Sequence, residues 1–120
     1  MTPYELEEYI YNTYGVISDY PWVRSPENAV FRHDANQKWF ALIMRISKRK
    51  LGMEENDYID VVNLKHPIEN ICFILQENGV YPAYHMNRSH WITVALDGSA
   101  PETLVKNLLS ISFDLTVNKK

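Results

Sequence analysis

KWFALIMRI (38–46) and YIDVVNL (58–64) decide the fold of this chain. In the first stretch Phe40, Leu42, Met44 and Ile46 point one way, and Trp39, Ala41, Ile43 and Arg45 the other. In the second, Ile59 and Val61 oppose Tyr58, Asp60 and Val62. Period-two alternation in segments rich in β-branched and aromatic residues predicts strands. The intervening loop, 47–57, is short enough to make the two an antiparallel pair.

Working outward, Ala29–His33 is a further strand, joined to 38–46 by the turn composition DANQ (34–37). Segment 16–22 is expected to form another strand, closed by proline, and His90–Leu96 the last, ended by Asp97-Gly98. Helices flank these strands. Thr2, Pro3 and Glu5 spell a capping box with proline at the first helical position. Leu6, Tyr9, Ile10, Thr13 and Tyr14 follow on one face, and Gly15 stops the helix. A second helix starts at Pro67, with Ile68, Ile71, Cys72 and Leu75 as its stripe and Asn78-Gly79 at its end. Phe73 lies off that stripe and is expected to be covered by the C-terminal segment. Ser99 and Glu102 form a second capping box around Pro101, ahead of Leu104, Val105, Leu108 and Leu109. The order α-β-β-β-β-α-β-α predicts a two-layer α+β domain over residues 1–120: a mostly antiparallel sheet with helices packed on one face.

The totals narrow the function. At 120 residues one domain is expected. Fifteen acids against twelve Lys plus Arg give a net charge of −3, whereas a nucleic-acid binder usually shows basic excess, at least locally. No run approaches the roughly 18 apolar residues of a membrane span. MTPYELEEY carries no basic region followed by an apolar one, so no signal peptide is expected. The lone Cys72 cannot form an internal disulfide. A cytoplasmic location follows as the expectation.

Catalytic signatures are sparse. Cys72 is expected on an apolar helix face, as a small buried hydrophobe. No serine occupies a G-x-S-x-G elbow, and four glycines supply no phosphate loop. His85 and His90 lack metal-ligand spacing, His33 and His66 stand alone, and all four are expected as polar rim residues. Neither an enzyme nor a metal or cofactor is expected.

Two clusters remain. RISKRK (45–50) places four cations in six residues at a hairpin tip, where they could meet phosphates, and EENDYID (54–60) follows with four acids that would screen them. YPAYHMNRSHW (81–91) concentrates aromatic and polar groups around a turn at Met86–Ser89. Trp22, Arg24, Tyr84, His85, Asn87, His90 and Trp91 could together line a concave site for a small ligand or a protein partner, with Trp22 and Trp91 as walls.

YPWVRSPENAVFRH (20–33), KWFALIM (38–44), LGM (51–53), VVNLK (61–65) and above all GVYPAYHMNRSHWITVALDGS (79–99) resemble the MmcQ/YjbR family. The likeness runs from the first helix to SFDLT (112–116). It implies a compact α+β fold related in outline to frataxin-like and secretion-chaperone-like domains, also described as a double-wing DNA-binding fold. Its members look like bacterial cytoplasmic proteins. On this chain the wings implied are the turns Ser47–Lys50 and Met86–Ser89, with Arg45, Lys48, Arg49, Lys50 and Arg88 as phosphate contacts. The expected function is a non-enzymatic, monomeric protein that binds double-stranded DNA, as a transcriptional accessory. The alternative is the small-ligand or protein-interaction module built on residues 22–24 and 84–91.

Overall fold

The computed structural model describes residues 1–20 and 28–117. Within them the chain forms one open antiparallel sheet of five strands with three helices, an α+β fold. The strands are β1 (Ala29–Arg32), β2 (Trp39–Ser47), β3 (Tyr58–Lys65), β4 (Val80–Pro82) and β5 (Trp91–Ala95), in the spatial order β1-β2-β3-β5-β4. The helices are α1 (Pro3–Tyr14), the single turn α2 (Ile71–Ile74) and α3 (Glu102–Thr116).

The 47–57 connection does pair β2 with β3, in a register running from Ala41↔Leu64 to Ser47↔Tyr58. At the β1 edge, the described part of segment 16–22 makes only one bridge, Asp19↔Val30, rather than a strand. An ion pair between Arg32 and Asp19 accompanies it. The fifth strand is β4, which ends at Pro82 on the sheet's other edge. An edge tolerates proline because its missing N–H faces no neighbour.

One irregularity rearranges the faces of β2. Phe31 pairs with Ala41, but Arg32 pairs with Trp39, so Phe40 is an extra residue opposite nothing. This β-bulge turns Phe40 onto the helix-covered face beside Ala41 and Ile43, and leaves Trp39 on the other. Strict alternation had placed Phe40 with Leu42, Met44 and Ile46. The helix-covered face buries Leu6 and Ile10 of α1, Val105, Leu108 and Leu109 of α3, and Val62, Leu64, Ile92 and Val94 of the sheet. Phe40 sits among the Tyr14, Phe31, His33 and Phe113 rings, with the Phe113 centroid 5.0 Å away.

Helix α1 forms as its capping box predicts. Glu5 N–H donates to Thr2 Oγ1 at 3.1 Å and Thr2 N–H to Glu5 Oε1 at 2.9 Å. The second box does not form. Ser99 instead donates its N–H (3.0 Å) and hydroxyl (2.5 Å) to Asp97 Oδ1, and no side chain caps α3. A carboxylate two residues back competes successfully for these donors. The expected helix after Pro67 shortens to a 3-10 turn, Ile68–Asn70, followed by α2. That change of winding shifts the stripe. Ile71, Ile74 and Leu75 pack on the core, while Ile68, Cys72 and Phe73 are exposed. Cys72 is therefore not a buried hydrophobe, and among the described residues nothing covers Phe73, which is 69% exposed.

His33 and His66 are buried rather than on the rim. His33 Nε2 lies 2.7 Å from Thr116 Oγ1 at the end of α3. His66 Nε2 lies 2.9 Å from Asn70 Nδ2, and its Nδ1 is a buried polar atom without a partner among the described residues. Desolvation lowers the pKa of both rings.

Candidate functional site

Among the described residues, no α-helix packs on the second face of the sheet. Val30, Leu42, Met44, Ile46, Ile59, Val61 and Ala95 are buried there, although they belong to strands. Cover comes from the two connections predicted as wings. Because the β2–β3 turn follows Ser47 and the β4–β5 turn precedes Trp91, they leave the sheet at opposite ends. Leu51 and Met53 from the first, Tyr84 from the second and Tyr81 of the edge strand β4 pack onto the same apolar face.

The first connection folds through a 3-10 turn, Lys48–Leu51, capped by Ser47 Oγ, which accepts from Arg49 N–H at 3.2 Å. Gly52, at φ 88°, closes it. Its cations differ in what occupies them. Arg45 stands directly opposite Asp60 in the ladder and donates from Nη1 to both carboxylate oxygens, at 3.1 and 3.2 Å. Arg49 Nε donates to Asn56 Oδ1 at 2.7 Å. The Lys48 charge acts on Asp97: burial works to raise that carboxyl, but the hydrogen bonds from Ser99 and the backbone, together with the Lys48 charge, outweigh it and leave its pKa lowered. The Lys50 ammonium lies 6.0 Å from the centre of the Tyr84 ring.

The second connection is pinned by a buried polar relay. Asn63 Nδ2 donates to Tyr84 O at 2.8 Å, Tyr84 N–H donates to Thr93 Oγ1 at 2.9 Å, and Thr93 Oγ1 donates to Asn63 Oδ1 at 2.5 Å. Asn63 and Thr93 are fully buried, so each hydrogen bond replaces one that water can no longer make. His85 then reverses the chain at φ 66°, unusual for a residue other than glycine, with its ring 4.0 Å from that of Tyr84. Arg88 Nε donates to Ala83 O at 3.1 Å.

The ligand-site residues expected from sequence are only partly assembled. Trp22 and Arg24 lie outside the described residues. Asn87 Oδ1 accepts from Ser89 N–H at 2.8 Å, so its carboxamide serves the turn. His85 and His90 are exposed. Trp91 does line a concavity, but with other neighbours: Gln37, Lys38, Trp39, Lys65, Met86 and Thr116 surround a groove of about 260 Å³. Lys65 is the direct cross-strand partner of Trp91. Trp39 and Lys65 were legible as strand residues, but the bulge decides that Trp39 shares this face. Among the described residues, no group of three or more His, Cys, Asp or Glu side chains is placed to hold a metal ion. No described helix is long and apolar enough to cross a membrane.

Comparison with known proteins agrees with this architecture. The YjbR family model matches residues 11–115. The uncharacterized protein YyaQ of Bacillus subtilis is 37% identical over 116 residues, spanning 97% of this chain and 98% of its own length. A shorter match, 42% over 43 residues, or 36% of each chain, links it to the protein YjbR of Escherichia coli. The crystal structure of a Pseudomonas syringae protein superposes with a TM-score of 0.95 at 40% identity, over 97% of this chain and 99% of that one. Deinococcus radiodurans protein DR2400, at 24% identity and a TM-score of 0.73 over 98% of this chain and 80% of that one, shares the fold. With a family model spanning nearly its whole length and a full-length relative in YyaQ, the chain belongs to the YjbR family.

Proposed function

We propose that this protein is a non-enzymatic, monomeric, cytoplasmic DNA-binding protein, a transcriptional accessory that grips the phosphate backbone. The observation that carries the reading is the convergence of the two connections over one sheet face. Lys50 reaches the Tyr84 ring, and the Tyr84 ring lies against His85, so a cation of the first connection stands beside the second. Lys48, Arg49, Lys50 and Arg88 are its phosphate contacts. Arg45 is not, because Asp60 already neutralises it. Contacts of this kind position a protein on DNA without reading bases.

The experiment is duplex-DNA affinity across a salt series. Each neutralised phosphate contributes about −0.9 to the slope of log K against log salt, so four cations give a slope of roughly −3.6. Absence of binding at low salt refutes the reading.

A second reading, a small-ligand module, draws on the groove of Lys38, Trp39, Lys65, Met86 and Trp91. It predicts a tryptophan fluorescence change with a member of a metabolite panel, and indifference to DNA.

A further inference from the structure

We infer that the groove between Trp39 and Trp91 is a docking site for an unpaired nucleobase, so that this protein prefers single-stranded over fully paired DNA. The inference rests on the DNA reading and adds which form of DNA is held, and where.

The groove's chemistry selects the ligand. Two indoles supply flat apolar surface, and Lys38 and Lys65 supply positive charge. Among the described residues no carboxylate lines it, although the chain as a whole carries a net charge of −3. Its occupant is therefore planar and anionic. Its size is also selective. At about 260 Å³ it falls below the roughly 300–1,000 Å³ of sites that enclose drug-sized ligands, so it suits one ring system with the remainder of the molecule outside. A base within a duplex has both faces covered by its neighbours and cannot enter. An unstacked base can, with its flanking phosphates beside the lysines. Stacking on aromatic side chains next to a cationic track is how proteins hold single strands without sequence preference.

Through Met86 the groove also borders the β4–β5 connection. Met86 lines it, and Tyr84, two residues earlier, carries the Lys50 ammonium over its ring. A strand leaving the groove along this segment meets the cations of the first connection. Of the described non-glycine residues with positive φ, Gln37 (62°) lines the groove and His85 (66°) precedes the lining residue Met86. Strained backbone of this kind persists where surrounding structure holds it, here through Gln37 N–H donating to His33 O at 2.8 Å and through the pinned Tyr84.

The test compares a twelve-nucleotide oligo-dT strand with a twelve-base-pair duplex at low salt, by anisotropy and by intrinsic tryptophan fluorescence. Tighter binding of the strand, with quenched tryptophan emission, is the expected result. Trp91→Leu should weaken strand binding about tenfold or more while duplex affinity stays within twofold. Lys65→Gln, which keeps both indoles, should weaken strand binding and reduce its salt slope by about 0.7. It decides the matter if the tryptophan variant fails to fold. Equal affinity for strand and duplex, without quenching and without an effect of Lys65→Gln, overturns the inference and leaves the DNA reading standing. Failure to bind either nucleic acid overturns both.

Discussion

Replacing Ser112 by alanine should cost far more than the loss of one hydroxyl on a helix suggests. The β2–β3 ladder stops at Ala41↔Leu64, one residue short of Phe40 and Lys65. The bulge at Phe40 has left that residue's carbonyl, and the N–H of Lys65, without strand partners. The Ser112 hydroxyl fills the gap: it donates to Phe40 O at 2.6 Å and accepts from Lys65 N–H at 2.8 Å, at a site with no solvent exposure. Ser112→Ala strands a buried acceptor and a buried donor together, at about 1–3 kcal/mol each. Partial relaxation brings the expected loss to roughly 2–4 kcal/mol, a large fraction of the stability of a domain this size. Urea unfolding followed by tryptophan fluorescence should show a lower midpoint with an unchanged slope. The melting temperature should fall by about 8–16 °C, at roughly 4 °C per kcal/mol. Asn107→Ala, exposed on the same helix, is the control and should stay within about 0.5 kcal/mol. If Ser112→Ala matches that control, the hydroxyl is not what completes the sheet and the account of the bulge is wrong.

Other perturbations test other parts of the structure. Gly79→Ala should destabilise by at least about 2 kcal/mol more than Gly52→Ala. Both glycines have positive φ, but only at Gly79 does a Cβ meet neighbours, Ala100 N at 2.7 Å and Ser99 Oγ at 2.8 Å; comparable unfolding midpoints would contradict this. Stability should decline as pH drops below about 6.5, the value for an unfolded-state histidine. His33 and His66 have lowered pKa values in the fold, so the unfolded chain takes up protons that the native state refuses. Chemical unfolding at pH 7.5 and 5.5 measures it, and equal stability at both would refute it. In DNA titrations, Lys50→Gln should reduce the salt slope by about one, whereas Arg45→Gln should leave it nearly unchanged because Asp60 already holds that guanidinium. A reversed order would show that Arg45 is released to DNA.

Much of the fold was legible because its signals are local. The Thr2–Glu5 box, Gly15 and the alternation of 41–46 and 58–64 depend on backbone geometry within a few residues, and each appears where expected. Errors arose where two local solutions compete. Ser99 could cap α3 or bond Asp97, and it takes the nearer carboxylate. The segment after Pro67 could wind as one α-helix or begin as a 3-10 turn, and that choice moved Cys72 from the core to the surface. For the candidate site, the cations at 45–50 and the Tyr84–Trp91 cluster were visible as composition, but their pairings were not. Arg45 meets Asp60 only through strand register, fifteen residues apart in sequence.

The amino-acid sequence by itself determined the class of the molecule: an antiparallel sheet with amphipathic helices on one face, because period and capping act over a turn or a strand. Only the tertiary structure decided what covers the sheet's other face, that Phe40 and Trp39 exchange sides, and that Trp39, Lys65 and Trp91 line one groove. Those outcomes depend on a single inserted residue in β2 and on contacts between segments dozens of residues apart. A one-residue shift in a period-two element reverses every side chain beyond it, and no local signal records which partner strand will absorb the shift.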